Sequence, residues 1–205
     1  MFKKMILISV FFWGSVSYAD AMKALNSFLQ NTSIAADFTQ TVYGNKKNRT
    51  TQGTMQIERP NKFRWEYVQD GQLIISDSKN IYIYDKPLRQ VTQKRLNDSL
   101  GKSPALLLAG GTDIKKYYTI VTAPDNDGLE WVNLTPKNPD DNNGFKSITM
   151  GFNKTTQALS QMRFTDSFDN KSAISFTNIK VGVRAPSSTF VFTPPKDVDV
   201  IKSDN

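Results

Sequence analysis

Arg59 stands between two runs of alternating apolar residues, at the rim of a face formed by Phe63, Trp65 and Tyr67. Its guanidinium offers five N–H donors in a fixed fork and stays protonated at neutral pH. That is chemistry for holding acceptors, not for moving protons. Catalysis has little to draw on elsewhere. The chain has no histidine and no cysteine, so a general base would have to be a carboxylate, a lysine or a tyrosine. Asp166 and Asp169 bracket one turn and Asp77 closes one apolar run, yet none is flanked by a second carboxylate that would tune an acid–base pair. No Gly-x-Ser-x-Gly elbow occurs. Gly101-Lys102-Ser103 has leucine at position 96, where a phosphate loop needs glycine. Asp125-Asn126-Asp127-Gly128-Leu129-Glu130 places its glutamate two residues after the glycine, where a calcium loop needs six. The residues therefore point to a binding protein with an apolar ligand and no enzymatic activity, cofactor or metal.

The elements that position Arg59 follow from hydrophobic period. Ala21, Leu25, Phe28 and Leu29 fall at helical spacing, which predicts a helix from about Asp20 to Asn31-Thr32-Ser33. The period then changes to two. Ile34, Ala36 and Phe38, then Met55 and Ile57, then Phe63, Trp65 and Tyr67 each share a face. Arg59 to Lys62 reads as a reverse turn with Pro60 second and Asn61 third. Further alternating runs follow to the Thr189-Phe-Val-Phe-Thr-Pro-Pro195 segment, itself read as a strand, with Asp127-Gly128 and Asn143-Gly144 as hairpin turns. The pattern predicts about ten or eleven short strands in one highly curved sheet. A sheet that wide leaves an interior its own side chains do not fill. One apolar segment interrupts the strands. Pro104 opens a predicted helix capped by Ser103 and ended by Gly110-Gly111, and Leu106, Leu107 and Leu108 point in successive directions around it. A short helix that is apolar all round must be covered, so it plugs or lids the sheet.

Residues 1–19 read as a cleaved secretory signal: Lys3 and Lys4, an apolar core too short to span a bilayer, then Ser17-Tyr18-Ala19 before the cut. Residues 20–205 are then a single domain. Loss of the two lysines takes the formal charge from +7 to +5, a mild and dispersed excess that gives no nucleic-acid footprint. Export without cysteine suggests the bacterial periplasm and a core held by packing alone, and nothing demands more than a monomer.

Five segments share an order with a known family: Asp37–Thr41, Gly53–Tyr67, Leu73–Thr92, Ser103–Ala109 and Phe190–Pro195. Through them, and most specifically through Arg-Pro-x-x-Phe-x-Trp with the closing Phe-x-Phe-Thr-Pro-Pro, the chain resembles the LolA family of outer-membrane lipoprotein carriers. It departs from the family at Ser78, where glycine is common. The resemblance implies a mainly β fold with a helical lid (α+β), an unclosed antiparallel β-barrel of about 11 strands covered by short α-helices.

It also implies a periplasmic shuttle. Such a carrier takes triacylated lipoproteins from an inner-membrane lipoprotein-releasing ABC transporter and passes them to an outer-membrane lipoprotein acceptor. The acceptor is lipid-anchored through an N-terminal cysteine, which this chain lacks. Arg59 and Phe63 match family residues important for release and transfer. On this reading Arg59 latches the lid by bonding carbonyls at the end of the 104–109 helix; the competing reading is that it caps a solvated hairpin. Phe63, Trp65, Tyr67 and Phe38 are the expected contacts for acyl chains or a partner, and Pro104, Leu106, Leu107 and Leu108 the expected lid. Three other classes compete: a small outer-membrane barrel, a periplasmic lipid-sensing or regulatory domain on the same scaffold, and an enzyme.

Overall fold

The structure is a computed structural model and describes residues 18–96, 104–110, 114–138 and 144–203; the expected signal core, the Ser103 cap, Gly111 and Asn143 lie outside them. Helix α1 (Tyr18–Gln30) carries Ala21, Ala24, Leu25, Phe28 and Leu29 on one buried stripe, the i, i+3, i+4, i+7 pattern that a helix lying on a sheet requires. Twelve strands follow: β1 (Ser33–Tyr43), β2 (Arg49–Glu58), β3 (Lys62–Tyr67), β4 (Gln72–Asp77), β5 (Asn80–Asp85), β6 (Gln90–Arg95), β7 (Tyr118–Asn126), β8 (Leu129–Pro136), β9 (Phe145–Asn153), β10 (Leu159–Asp166), β11 (Lys171–Val181) and β12 (Asp199–Ser203). Two short helices, α2 (Pro104–Ala109) and α3 (Ile114–Tyr117), sit between β6 and β7.

All twelve strands form one sheet, in the order β12-β6-β5-β4-β3-β2-β1-β11-β10-β9-β8-β7. The ladder ends on β12 and β7, so the barrel does not close. Consecutive strands β6 and β7 lie near opposite edges of the sheet. Between them in sequence, α2 packs as a lid over β2 and β3, and α3 packs on β7.

Eleven strands pair antiparallel, as the meandering hairpins predict. The twelfth differs: β12 pairs parallel to β6, Asp199 opposite Gln90 through Ser203 opposite Lys94. The 190–195 segment is not a strand. Residues Ser187–Phe190 form a 3₁₀ turn and residues 191–195 run outside any ladder, because Pro186, Pro194 and Pro195 lack the N–H that pairing needs. Its period-two aromatics serve as plugs. Phe190 is buried, and Phe192 packs on Tyr82 and Tyr84 at 5.4 and 5.7 Å. They cover the face of the sheet that buries Leu73, Ile75 and Val91, opposite to the face carrying Phe63 and Trp65.

Register decides which side chains meet on that other, concave face. Phe38 lies opposite Gly53 and Phe176, Met55 opposite Trp65, and Ile57 opposite Phe63. Gly53 is required by close approach: a Cβ there would lie 2.0 Å from the Glu66 carbonyl oxygen and 2.5 Å from Cζ of Phe38. The Phe38 ring uses that space to pack on Trp65 at 4.3 Å and edge-on to Tyr67 at 5.2 Å. Asp127 and Gly128 both take positive φ, 53° and 74°, as the predicted hairpin turn requires. Ser78 takes φ 79°, the conformation glycine accepts more readily.

Candidate functional site: the arginine turn beneath two helices

The β2–β3 connection is three residues, Arg59, Pro60 and Asn61, with a cis Arg59–Pro60 bond and Asn61 at φ 64°. The predicted four-residue turn with Pro60 second is thus replaced by a shorter one that turns the Arg59 side chain inward. Its backbone N–H donates to the Thr32 carbonyl at 2.7 Å, and the Asn61 N–H to the Ala109 carbonyl at 3.2 Å. The turn is bound at once to the end of α1 and the end of α2.

The guanidinium repeats the pattern. Nη1 donates to the Phe28 carbonyl at 3.1 Å and to the Asn31 carbonyl, and Nη2 donates to the Leu108 carbonyl at 2.7 Å. Its carbon stands 4.9 Å from the centre of the Phe28 ring. The last carbonyls of a helix have no partner within the helix and carry its partial negative charge. One half-buried cation therefore collects carbonyls at the ends of two separate helices, among them that of Phe28, which also accepts the Asn31 N–H at 3.3 Å. Burial pulls the guanidinium pKa down to about 10, which still leaves it charged at neutral pH. The sequence pointed to the α2 carbonyl. It did not point to α1, although Asn31-Thr32-Ser33 signals a helix end with carbonyls to satisfy.

The expected ligand contacts are brought together on the concave face. Phe63 is 0 % exposed, Trp65 1 % and Phe38 2 %, so none of the three meets solvent or a partner in this structure. Tyr67 is half-buried and donates its hydroxyl to Oε1 of Gln40 at 2.8 Å. Burial pushes the Tyr67 hydroxyl up to about 12. The space the sequence predicts as a cavity is closed by the lid itself. Pro104 opens α2, and Leu106, Leu107 and Leu108 are all at most 5 % exposed, in one continuous core with α1 and the concave face. Phe28 packs edge-on to Phe152 at 6.2 Å, which seats α1 on the β7–β10 half of the sheet while α2 sits over β2 and β3.

A second turn braces the first. The Ser78 hydroxyl, in the β4–β5 turn, donates to the Pro60 carbonyl at 3.1 Å. The sequence flags Ser78 only as a departure from glycine, and its partner is eighteen residues away. Among the described residues no group of three or more His, Cys, Asp or Glu could hold a metal ion, and no helix is long and apolar enough to cross a membrane.

With this geometry in place, comparison with known proteins is decisive. The profile of the family described as "Outer membrane lipoprotein carrier protein LolA" matches residues 30–193, a span containing the arginine turn, the concave strands and α2. The chain belongs to the LolA family. An outer-membrane lipoprotein carrier protein of Chromobacterium violaceum is 41 % identical over 188 residues, covering 91 % of this chain and 89 % of the relative. The protein of the same name from Neisseria meningitidis is 36 % identical over 185 residues, covering 90 % and 86 %. Among solved structures, an uncharacterized conserved protein of Thermus thermophilus superposes with a TM-score of 0.54 at 11 % identity, covering 90 % of this chain and 98 % of its own. That likeness concerns the fold alone.

Proposed function

We propose that this LolA-family chain is a periplasmic carrier that shields lipoprotein acyl chains on its concave face and holds that face shut, when empty, through Arg59. The observation that carries the reading is the Arg59 turn, whose donors tie the ends of α1 and α2 together above a continuous apolar interior. Carriers of this name match the chain over nine-tenths of its length, which disfavours a lipid-sensing domain on the same scaffold and gives an enzyme no support.

The physical need is large. An acyl chain of about 16 carbons exposed to water costs roughly 12 kcal/mol at ~0.8 kcal/mol per methylene. A carrier realising all of that would not let go. Here the lid's own leucines fill the acyl site, so lipid entry has to displace α2 and break the Arg59 bonds, and net affinity is lowered by that amount. Relatching then favours release. Phe63, Trp65, Tyr67 and Phe38 become acyl contacts once α2 moves. Residues 1–19 are the export signal and are absent from the working protein. The donor is an inner-membrane ABC transporter that releases triacylated lipoproteins, and the recipient an outer-membrane lipoprotein acceptor.

The test is release from inner-membrane vesicles holding a labelled lipoprotein. Adding the carrier and ATP is expected to move lipoprotein into the soluble fraction, close to one per carrier. Lipoprotein that stays with the vesicles at every carrier concentration would overturn the reading.

A further inference from the structure

Alternate hairpins of the sheet turn at the same end, and five turn at the end away from the Arg59 turn; the four among them whose turns are described throughout are neighbours in strand order: β10–β11, β1–β2, β3–β4 and β5–β6. The three most exposed large apolar side chains among the described residues sit on them: Phe168 at 84 %, Leu88 at 70 % and Val68 at 67 %. Tyr43, at 48 %, supplies the fourth tip. Scattered exposed apolar residues need no explanation, but one on each of four adjacent tips is a pattern.

The tips are built, not loose. The Asp166 carboxylate accepts the Phe168 and Asn170 backbone N–H groups at 2.8 and 2.9 Å and so holds Phe168 outward. Asp85 accepts the Leu88 N–H at 3.0 Å in the same manner. Adjacent tips are tied to each other. Lys86 N–H donates to the Gly71 carbonyl at 3.1 Å, Arg49 pairs with Asp70 at 3.0 Å, and Tyr43 lies in register with Lys171. With neighbouring strands about 4.8 Å apart, four hairpins span roughly 30 Å.

Charge at these four tips is asymmetric. Their acids are engaged: Asp70 with Arg49, Glu66 with Arg64 and Lys86, and Asp169 with Lys146, while Asp85 and Asp166 accept backbone N–H groups; the neighbouring Asp197 pairs with Arg89. Lys46, Lys47 and Lys171 are exposed and make no ion pair among the described residues. Unpaired lysines beside rigid apolar tips match a bilayer interface, where apolar groups enter the headgroup layer and lysines meet anionic lipid. We propose that this hairpin rim docks on an anionic bilayer surface. The inference goes beyond the carrier reading and needs no lipoprotein.

The experiment is vesicle co-sedimentation of the protein produced from its full coding sequence and exported, with phosphatidylglycerol–phosphatidylcholine vesicles and with phosphatidylcholine alone. Partition is expected on the anionic vesicles at low salt and loss of it at high salt. Each neutralised lysine is expected to weaken partition about fivefold, so Lys46→Gln with Lys47→Gln weakens it roughly thirtyfold. Phe168→Ser, at a solvated tip where folding is not at stake, is expected to weaken it at least about tenfold. No partition on anionic vesicles at low salt overturns the proposal, as does partition that both variants leave unchanged. A concentration-dependent dimer abolished by Phe168→Ser also overturns it, in favour of a second copy as the occupant.

Discussion

Arg59→Leu removes every donor that joins α1 to α2 through this side chain and leaves an apolar group of comparable length in its place. Three carbonyls lose a charged donor: Phe28, Asn31 and Leu108. A hydrogen bond to a charged group contributes about 1.5–3 kcal/mol, and the burial that lowers the guanidinium pKa to about 10 offsets a substantial part of that sum. A net stabilisation of the shut lid by roughly 2–4 kcal/mol is what remains, a factor of about 30 to 1,000 in the shut-to-open ratio. Because apparent affinity scales with the fraction of open protein, the variant is expected to bind a fluorescent acyl probe at least about tenfold more tightly. It should also hand lipoprotein on correspondingly slowly. Arg59→Lys keeps the charge but not the fork, so it should fall between the two. The assay is probe titration together with the rate of transfer to acceptor-bearing outer-membrane vesicles. A folded Arg59→Leu protein with wild-type probe affinity and wild-type transfer rate would refute the latch.

Three further outcomes follow from the same geometry. Gly53→Ala drives a Cβ to within 2.0 Å of the Glu66 carbonyl and 2.5 Å of Phe38, so the β2–β3 ladder must shift; a loss of about 2 kcal/mol or more is expected in urea unfolding. Ser78 pairs an unfavourable φ of 79° with a bond to Pro60. Ser78→Ala should therefore cost about 1 kcal/mol by losing the bond, whereas Ser78→Gly also relieves the backbone and should come closer to neutral. Burial raises the Tyr67 and Tyr118 hydroxyls to about 12 from an unfolded value of 10. The folded protein keeps protons that the unfolded chain gives up, so this contribution is complete below pH 10 and is lost as pH rises toward 12. Urea midpoints between pH 9 and 11.5 should fall less steeply in Tyr118→Phe, which also removes a buried hydroxyl without a partner among the described residues.

Most of the strands were legible because period-two alternation survives wherever one face is buried and the other is wet. Phe38, Met55, Phe63 and Trp65 keep that alternation, and register brings them together on one face. The α2 lid was legible for a related reason: three consecutive leucines on a short helix leave no side free for water. The C-terminal segment was misread because Phe190-Val191-Phe192 alternates like a strand while its flanking prolines forbid a ladder. β12 was missed because Val200 and Ile201 are both about half exposed, so neither face of that strand is marked as buried. The second anchor of Arg59, on α1, and the Ser78–Pro60 brace join residues 28 and 18 positions or more apart through backbone carbonyls. Carbonyls carry no side-chain signature, and only the folded chain reveals which ones a given donor reaches.

The central claim is that this protein's interior exists to hold lipoprotein acyl chains. Its most direct test is intact-mass and peptide mass spectrometry of what accompanies the Arg59→Leu protein purified from a native periplasm without detergent. The account predicts acylated N-terminal cysteine peptides from lipoproteins at close to one per carrier, and markedly fewer on the wild type. An Arg59→Leu protein that is as empty as the wild type, or that carries only free fatty acid or phospholipid, would contradict it.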